Sequence, residues 1–174
     1  MVERVIESRV LCVVLHTELS FERHVRSIAA SASSKLGIMK ALSLFGDPVL
    51  LSRCFWSFVL PVLEYCSPVW MSATASHLRL LDRVVSKADR VSDGLVVCDE
   101  EHRRRIAVLC LYYKIRCNPN HAFEAALPRV RLPARLTRLA VSVHSRYLDV
   151  LRCRSVKFGK SYVPACEQFW NSLD

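Results

Sequence analysis

The sequence lacks the compact cysteine and histidine spacings that structural metal sites use. Its eight cysteines and six histidines include no C-x-x-C pair and no H-x-x-x-H pair. Structural zinc sites nearly always contain such close ligand pairs. The nearest approach to a ligand set is His102 with Cys110 and Cys117, and its spacing is too open. We therefore predict no metal site, and we assign no cofactor.

The sequence also predicts no secretory signal and no membrane-spanning segment. Residues 10–15 supply only about six apolar positions, too few for the apolar core of a signal peptide. The longest apolar run, residues 54–63, is about half as long as a bilayer-spanning helix must be. We therefore expect an intracellular protein, nuclear or cytoplasmic and not secreted, with no membrane partner. Its cysteines are expected to be reduced and to pack as small apolar residues.

The net charge of +9 is unevenly distributed along the chain. Residues 129–160 contain nine basic residues and one acidic residue, which gives +8, whereas residues 161–174 carry −2. Only +3 remains for residues 1–128. A localised basic segment favours phosphate or another polyanion as partner. A solvated surface without a partner is the alternative.

Apolar periodicity predicts a mainly α-helical bundle with a short N-terminal β-hairpin and a basic, partly irregular C-terminal segment. Residues 10–15 are typical of a buried strand, with a turn at 16–18. Ser20 is a suitable N-cap for the first helix. The apolar positions of that helix recur at steps of three and four and form one face: Phe21, Val25, Ile28, Ala32, Leu36, Met39 and Leu42.

The next segment begins at Asp47-Pro48, a pair that suits the first turn of a helix. Residues 49–63 are apolar on nearly every side and therefore predict the central, most buried helix. Pro61 should kink or end it, and Ser67-Pro68 breaks the chain again.

Two further long helices are predicted after this break. Thr74 can cap the first, whose inward positions are Leu78, Leu81, Val84, Val85 and Ala88. Asp99 can cap the second, whose apolar face would hold Ile106, Leu109, Cys110 and Tyr113, and Asn118-Pro119-Asn120 would stop it. Beyond it we expect a linker at 128–133, a helix at 136–151, a loop at 152–160 and a short helix from Pro164 to Trp170. We place the domains at residues 1–128, a helical domain with the hairpin, and 129–174, a basic extension.

Four sequence blocks, taken together, resemble the C-terminal region of the reverse transcriptases of non-LTR (LINE-type, jockey- and CR1-like) retrotransposons. They are LCVVLHTELSFERHV at 11–25, FVLPVLEYCSPVW at 58–70, LRLLDRVVSKADR at 78–90, and HRRRIAVLCLYYKI at 102–115 paired with SYVPACEQFWNSL at 161–173. The second block is the most specific. The resemblance implies the thumb and post-thumb part of such a polymerase.

The chain departs from that family at several positions. Cys12 stands where the family usually has Gly and His16 where it usually has Asp, and both changes weaken a tight hairpin. The metal-binding palm aspartates that the resemblance implies for the parent polymerase are missing, because the seven aspartates here include no Asp-Asp pair. We therefore expect no RNA-directed DNA polymerase activity and assign no catalytic residue.

The resemblance and the charge together predict a non-catalytic fragment that binds the RNA or DNA backbone without reading sequence. The alternative is a helical protein-interaction module, or a decayed retrotransposon remnant with no selected function. Self-association is expected through the apolar surface left by the missing palm, at Phe21, Val25 and residues 10–15.

The candidate phosphate-binding residues are all basic. They are Arg103, Arg104, Arg105, Arg129, Arg131, Arg135, Arg138, Arg152, Arg154, Lys157 and Lys160.

Other side-chain groupings have ordinary structural interpretations. His16, Glu18 and His24 near the hairpin are interpreted as a surface cluster, and Cys66 with His77 or Asp82 as a core cysteine rather than a nucleophile. A base-stacking platform is weighed against core packing for five aromatic residues, and core packing is favoured: Phe55, Trp56, Phe58, Tyr65 and Trp70.

Overall fold

The computed structural model describes residues 6–44, 47–96, 98–118, 120–127, 148 and 152–173. The chain forms two compact units, unit 1 with residues 1–102 and unit 2 with residues 103–174. The domain boundary predicted after residue 128 falls outside the described residues, as do the predicted linker and nearly all of the predicted helix at 136–151. The structure is mainly α-helical with a two-stranded N-terminal hairpin, which confirms the predicted fold class.

Strands β1 (Glu7–Val10) and β2 (Val13–His16) form the antiparallel hairpin. Its turn consists of Leu11 and Cys12, whose φ angles of 46° and 64° are both positive. Positive φ at both central residues is the requirement of a type I′ turn, the two-residue connection that matches strand twist. The continuous strand predicted across 10–15 is therefore wrong. Leu and Cys are not typical turn residues, so the residue types at 11–12 do not predict a turn. The predicted turn at 16–18 is present, because the N–H of Leu19 donates to the carbonyl oxygen of His16 at 2.8 Å.

Helix α1 (Glu22–Leu42) confirms the periodic face predicted for it, except that Leu42 is exposed. The helix begins directly after Phe21, so Ser20 does not cap it. Phe21 and Val25 are both buried, so the apolar surface expected at these two residues is absent. The residues of this face that join the core are Phe21, Val25, Ile28, Ala32, Leu36 and Met39.

The apolar segment after α1 is helical, but only one of its faces is buried. It contains α2 (Pro48–Cys54), a π-helical turn (Phe55–Val59) and α3 (Leu60–Glu64). Asp47 is the N-cap residue and Pro48 opens the helix, as predicted. The segment is not buried on all sides, which corrects the prediction. Its buried side chains are Leu51, Phe55, Val59, Leu60 and Leu63, and its exposed apolar ones include Val49, Leu50, Trp56 and Phe58.

The π-helical turn is explained by its position directly before Pro61. The N–H of Leu60 donates to the carbonyl oxygen of Phe55, five residues back. A proline ring crowds the carbonyl group one helical turn earlier and removes one hydrogen bond. The wider turn relieves this crowding, and it also lets two consecutive residues, Val59 and Leu60, both reach the core.

The predicted break at Ser67-Pro68 is confirmed. Cys66 adopts a left-handed conformation with φ of 53°, and helix α4 (Ser67–Trp70) begins at the next residue. Trp70 is fully buried, and its indole Nε1 donates to the carbonyl oxygen of Tyr65 at 2.8 Å.

Helix α5 (Ala75–Val91) packs along α1 and completes the core of unit 1. Thr74 is its N-cap residue, but the hydroxyl bonds the side chains of Ser76 and His77 rather than a backbone amide. The inward face is as predicted, with Leu78 only partly buried at its margin. Its buried members are Leu81, Val84, Val85 and Ala88.

Helix α6 (Glu100–Cys117) contains the boundary between the units. Asp99 caps it as predicted, because its carboxylate accepts the N–H of His102 at 3.1 Å. The predicted apolar face is wrong: Ile106, Cys110 and Tyr113 are exposed. The buried face holds Val108, Tyr112 and Ile115 instead.

Unit 2 continues with a short 3-10 turn (Glu124–Ala126), α7 (Val156–Gly159) and α8 (Tyr162–Asn171). Helix α7 lies inside the segment predicted to be a loop, whereas α8 confirms the predicted last helix. Trp170 packs on Tyr112 with 4.8 Å between ring centroids.

Candidate nucleic-acid interface

The excess positive charge belongs entirely to unit 2. Residues 1–102 contain 11 basic and 12 acidic residues, a net charge of −1. Residues 103–174 contain 14 basic and 4 acidic residues, a net charge of +10. A polyanion would therefore be attracted to unit 2 and not to unit 1.

The arginine triplet of α6 does not form one surface. Successive residues of an α-helix point about 100° apart, so Arg103, Arg104 and Arg105 face three directions. Arg104 is buried, with 7% of its surface exposed. Arg105 is exposed, and its guanidinium lies 5.4 Å from the ring centroid of Phe169 on α8. Of the three, Arg105 is the one best placed for a ligand in solvent.

Three exposed basic residues lie next to the contact that joins the two ends of the segment containing α7. Cys153 lies against Gly159, where an added Cβ would stand 3.5 Å from the Cys153 Cβ. Arg152 and Arg154 flank Cys153 in sequence, and Lys160 follows Gly159, so the backbone positions of the three basic residues lie close to this contact. All three are exposed and form no ion pair within the part of the chain that the structure describes. We call Arg152, Arg154 and Lys160 the α7 basic cluster.

An exposed aromatic residue adjoins this cluster. Phe158, on α7, has half of its surface exposed. Exposed aromatic rings among basic side chains are the elements from which single-stranded nucleic-acid sites are built. Phe158 is not among the residues predicted from the sequence, although the alternation of basic and aromatic residues in VKFGK, residues 156–160, is a usable signal.

Arg129, Arg131, Arg135 and Arg138 lie outside the described residues, as does the side chain of Lys157.

The five aromatic residues weighed as a stacking platform separate into two groups. Phe55 and Trp70 are buried in the core of unit 1. Trp56, Phe58 and Tyr65 are exposed. They belong to unit 1, whose net charge is −1, and not to the basic unit 2.

The histidines near the hairpin make structural contacts. Nδ1 of His16 accepts the N–H of Glu18 at 3.1 Å, and Nδ1 of His24 accepts the N–H of Val14 at 3.4 Å. Burial, together with the charge of Arg9, lowers the pKa of His24 below its ordinary value. Lone-pair positions that accept backbone amides are not available to a metal ion.

No group of three or more metal-ligating side chains occurs among the described residues. All eight cysteines are described, and all are free thiols. Burial raises the pKa of the Cys166 thiol to about 12, so this thiol is protonated and unreactive near neutral pH. Within the described residues, no helix is both long and apolar enough to cross a membrane.

No protein-family model, curated protein or solved structure matches this chain.

Proposed function

We propose that the protein is a non-catalytic, intracellular module that binds the phosphate backbone of RNA or DNA through unit 2. The observation that carries the proposal is the charge difference, −1 for residues 1–102 against +10 for residues 103–174. The resemblance to the C-terminal region of non-LTR retrotransposon reverse transcriptases supports it. In that context the chain would correspond to a thumb that grips a duplex.

The α7 basic cluster supplies the contacts on the described part of unit 2. Exposed Arg and Lys side chains that contact phosphates release condensed counterions, so affinity depends strongly on salt. Contacts to the backbone position a protein on nucleic acid but do not read sequence. We therefore expect binding that is independent of sequence.

The test is a titration of the full chain against a labelled RNA–DNA hybrid at several salt concentrations. Log affinity should fall linearly with log salt. Replacing the three residues of the α7 basic cluster by glutamine should reduce the slope by about 2–3, since each phosphate contact contributes roughly 0.9. The absence of binding even at low salt would overturn the proposal.

A matched control separates the cluster from net charge. Arg79, Arg83 and Lys87 are exposed on α5, in unit 1. Their replacement by glutamine removes the same three charges from the other unit. This variant should retain the parent slope, and equal losses in both variants would show that only total charge matters.

A helical protein-interaction module is the second candidate function. The exposed apolar side chains of the segment from α2 to the π-helical turn favour it, above all Phe58, which is 62% exposed. Soluble chains rarely leave contiguous apolar surface uncovered without a partner. A triple variant with Leu50→Ser, Trp56→Ser and Phe58→Ser should abolish any association through this face, as measured by light scattering.

A further inference from the structure

We propose that the outer edge of strand β1 pairs antiparallel with the same edge of a second copy of the chain, with Ser8 opposite Ser8 of that copy. This self-association site goes beyond the proposed nucleic-acid binding, which belongs to unit 2.

The backbone groups of Glu7 and Arg9 point away from the hairpin. The N–H of Thr17 donates to the carbonyl oxygen of Ile6 at 3.1 Å, so Ile6 and Thr17 form a hydrogen-bonded pair at the open end of the hairpin. Hydrogen-bonded and non-hydrogen-bonded pairs alternate in an antiparallel sheet. The pairs Glu7–His16 and Arg9–Val14 are therefore non-hydrogen-bonded. Their N–H and C=O groups face outward, and those of Glu7 and Arg9 have no hydrogen-bond partner among the described residues.

The opposite edge of the hairpin is occupied. The outward N–H of Val14 donates to His24 on α1. Strand β2 also packs on α1, and Val13 is buried there. No described residue covers the β1 edge, and an uncovered strand edge is a template for pairing with another strand.

The charges select one register among those that the hydrogen bonds allow. A residue whose backbone N–H and C=O groups face outward must lie opposite another such residue in the second copy. Glu7 and Arg9 therefore allow three registers. Two registers place Glu7 against Glu7 or Arg9 against Arg9, and like charges directly opposite are destabilising. The third places Glu7 against Arg9 twice, with Ser8 at the centre. This register is self-complementary, as a two-fold interface must be.

The same register also pairs the exposed apolar side chains. It sets Ile6 opposite Val10 of the second copy, and these residues are 68% and 49% exposed. They lie on the face that carries buried Val13, because Val10 and Val13 are opposite each other in the hairpin. Arg9 makes no ion pair within the described chain, whereas Glu7 already contacts Arg23. Pairing therefore gives Arg9 a carboxylate partner. A five-residue edge fits a weak, concentration-dependent dimer.

Charge reversal with sedimentation velocity tests the register. The wild-type chain should show a reversible monomer–dimer equilibrium. Glu7→Lys and Arg9→Glu should each raise the dimer dissociation constant about tenfold, since each creates two like-charge pairs. A one-to-one mixture of the two variants should restore dimers, because the introduced lysine then lies opposite the introduced glutamate, and the native Arg9 opposite the native Glu7. Arg23→Gln, which removes the intramolecular ion pair without touching the edge, should dimerise like the wild type.

Amide hydrogen exchange identifies the edge directly. Raising the wild-type concentration should slow exchange at Glu7 and Arg9, and leave Ser8, already bonded within the hairpin, unchanged. A monomer at all concentrations would overturn the proposal, as would a mixture that fails to restore dimers. A dimer without protection at Arg9 would also overturn it and assign association to another surface, such as the one around Phe58. Each of these results is independent of the nucleic-acid titration.

Discussion

The backbone N–H of Val14 donates a hydrogen bond to Nδ1 of His24, with 3.4 Å between the two nitrogen atoms. This bond joins strand β2 to helix α1 and requires a neutral imidazole. The ring is buried and lies 6.4 Å from the Trp70 ring, centroid to centroid, and its Nε2 has no hydrogen-bond partner among the described residues. Protonation would place a charge in this apolar site beside Arg9.

Acid should therefore destabilise the hairpin and the core below it. Burial, and to a lesser degree Arg9, lowers the pKa of His24 below 6.5 in the folded state. The unfolded state then binds the proton more readily, so stability is complete above about pH 6.5 and falls as the pH drops towards the folded pKa. The check is the denaturant midpoint measured between pH 8 and pH 5.

His24→Asn is the matched variant for this experiment. The Asn side-chain oxygen can accept the Val14 amide in place of Nδ1 and does not titrate, so the pH dependence in this range should shrink. His102→Gln, at an exposed position, should leave it unchanged. An equal pH dependence in His24→Asn and the wild type would contradict the assignment.

Cys12→Gly should stabilise the protein by about 1 kcal/mol. Cys12 has φ of 64° in the hairpin turn, and a left-handed conformation costs a non-glycine residue roughly 1–2 kcal/mol. Glycine removes this strain, but it also increases the conformational entropy of the unfolded chain, which offsets part of the gain. Chemical denaturation measures the change. Cys110→Gly provides the control, since Cys110 is an exposed residue within α6 and glycine there should cost about 1 kcal/mol.

Leu63→Ala should destabilise the protein by about 2–5 kcal/mol, because it leaves a cavity at a fully buried site of α3. Leu50→Ala, at the exposed face of α2, should change stability by no more than about 0.5 kcal/mol. Thermal or urea unfolding compares the two variants. Equal losses would mean that both faces of this segment are buried in solution.

Phe158→Ala should weaken binding of single-stranded RNA by about 1–3 kcal/mol if the ring stacks on a base. Fluorescence anisotropy with a labelled oligonucleotide measures this loss. Phe123→Ala removes another exposed aromatic side chain of unit 2 and should leave the affinity unchanged. A stacking role is refuted when both variants bind as well as the wild type.

The sequence predicted the long helices of unit 1 well. In α1 and α5 the apolar residues occupy one stripe and charged residues the other, so the periodicity has a single solution. In α6 the stretch IAVLCLYY, residues 106–113, is apolar on every side. The sequence therefore could not determine which side is buried, and tertiary packing selected Val108 and Tyr112 over Ile106 and Tyr113.

Parts of the candidate site lay beyond sequence reasoning for a different reason. The three consecutive arginines looked equivalent, but helical geometry buries Arg104 and exposes Arg105. The α7 basic cluster depends on Cys153 lying against Gly159, a contact between two small residues that no charge pattern encodes. The β1 edge became visible only when the turn was located at Leu11 and Cys12, because a shift of the turn changes which backbone groups face outward.

The π-helical turn at Phe55–Val59 bears on how this protein tolerates changes in length. Such a turn holds one residue more than an α-helical turn. Removing exposed Ser57, with Pro61 replaced by alanine, would let the segment rewind as a continuous α-helix while Leu51 and Leu63 keep facing the core. The same deletion within α5 would rotate every later side chain by about 100°. We therefore expect that, once Pro61 is replaced, one residue can be lost at this turn while the rest of the helix keeps its orientation.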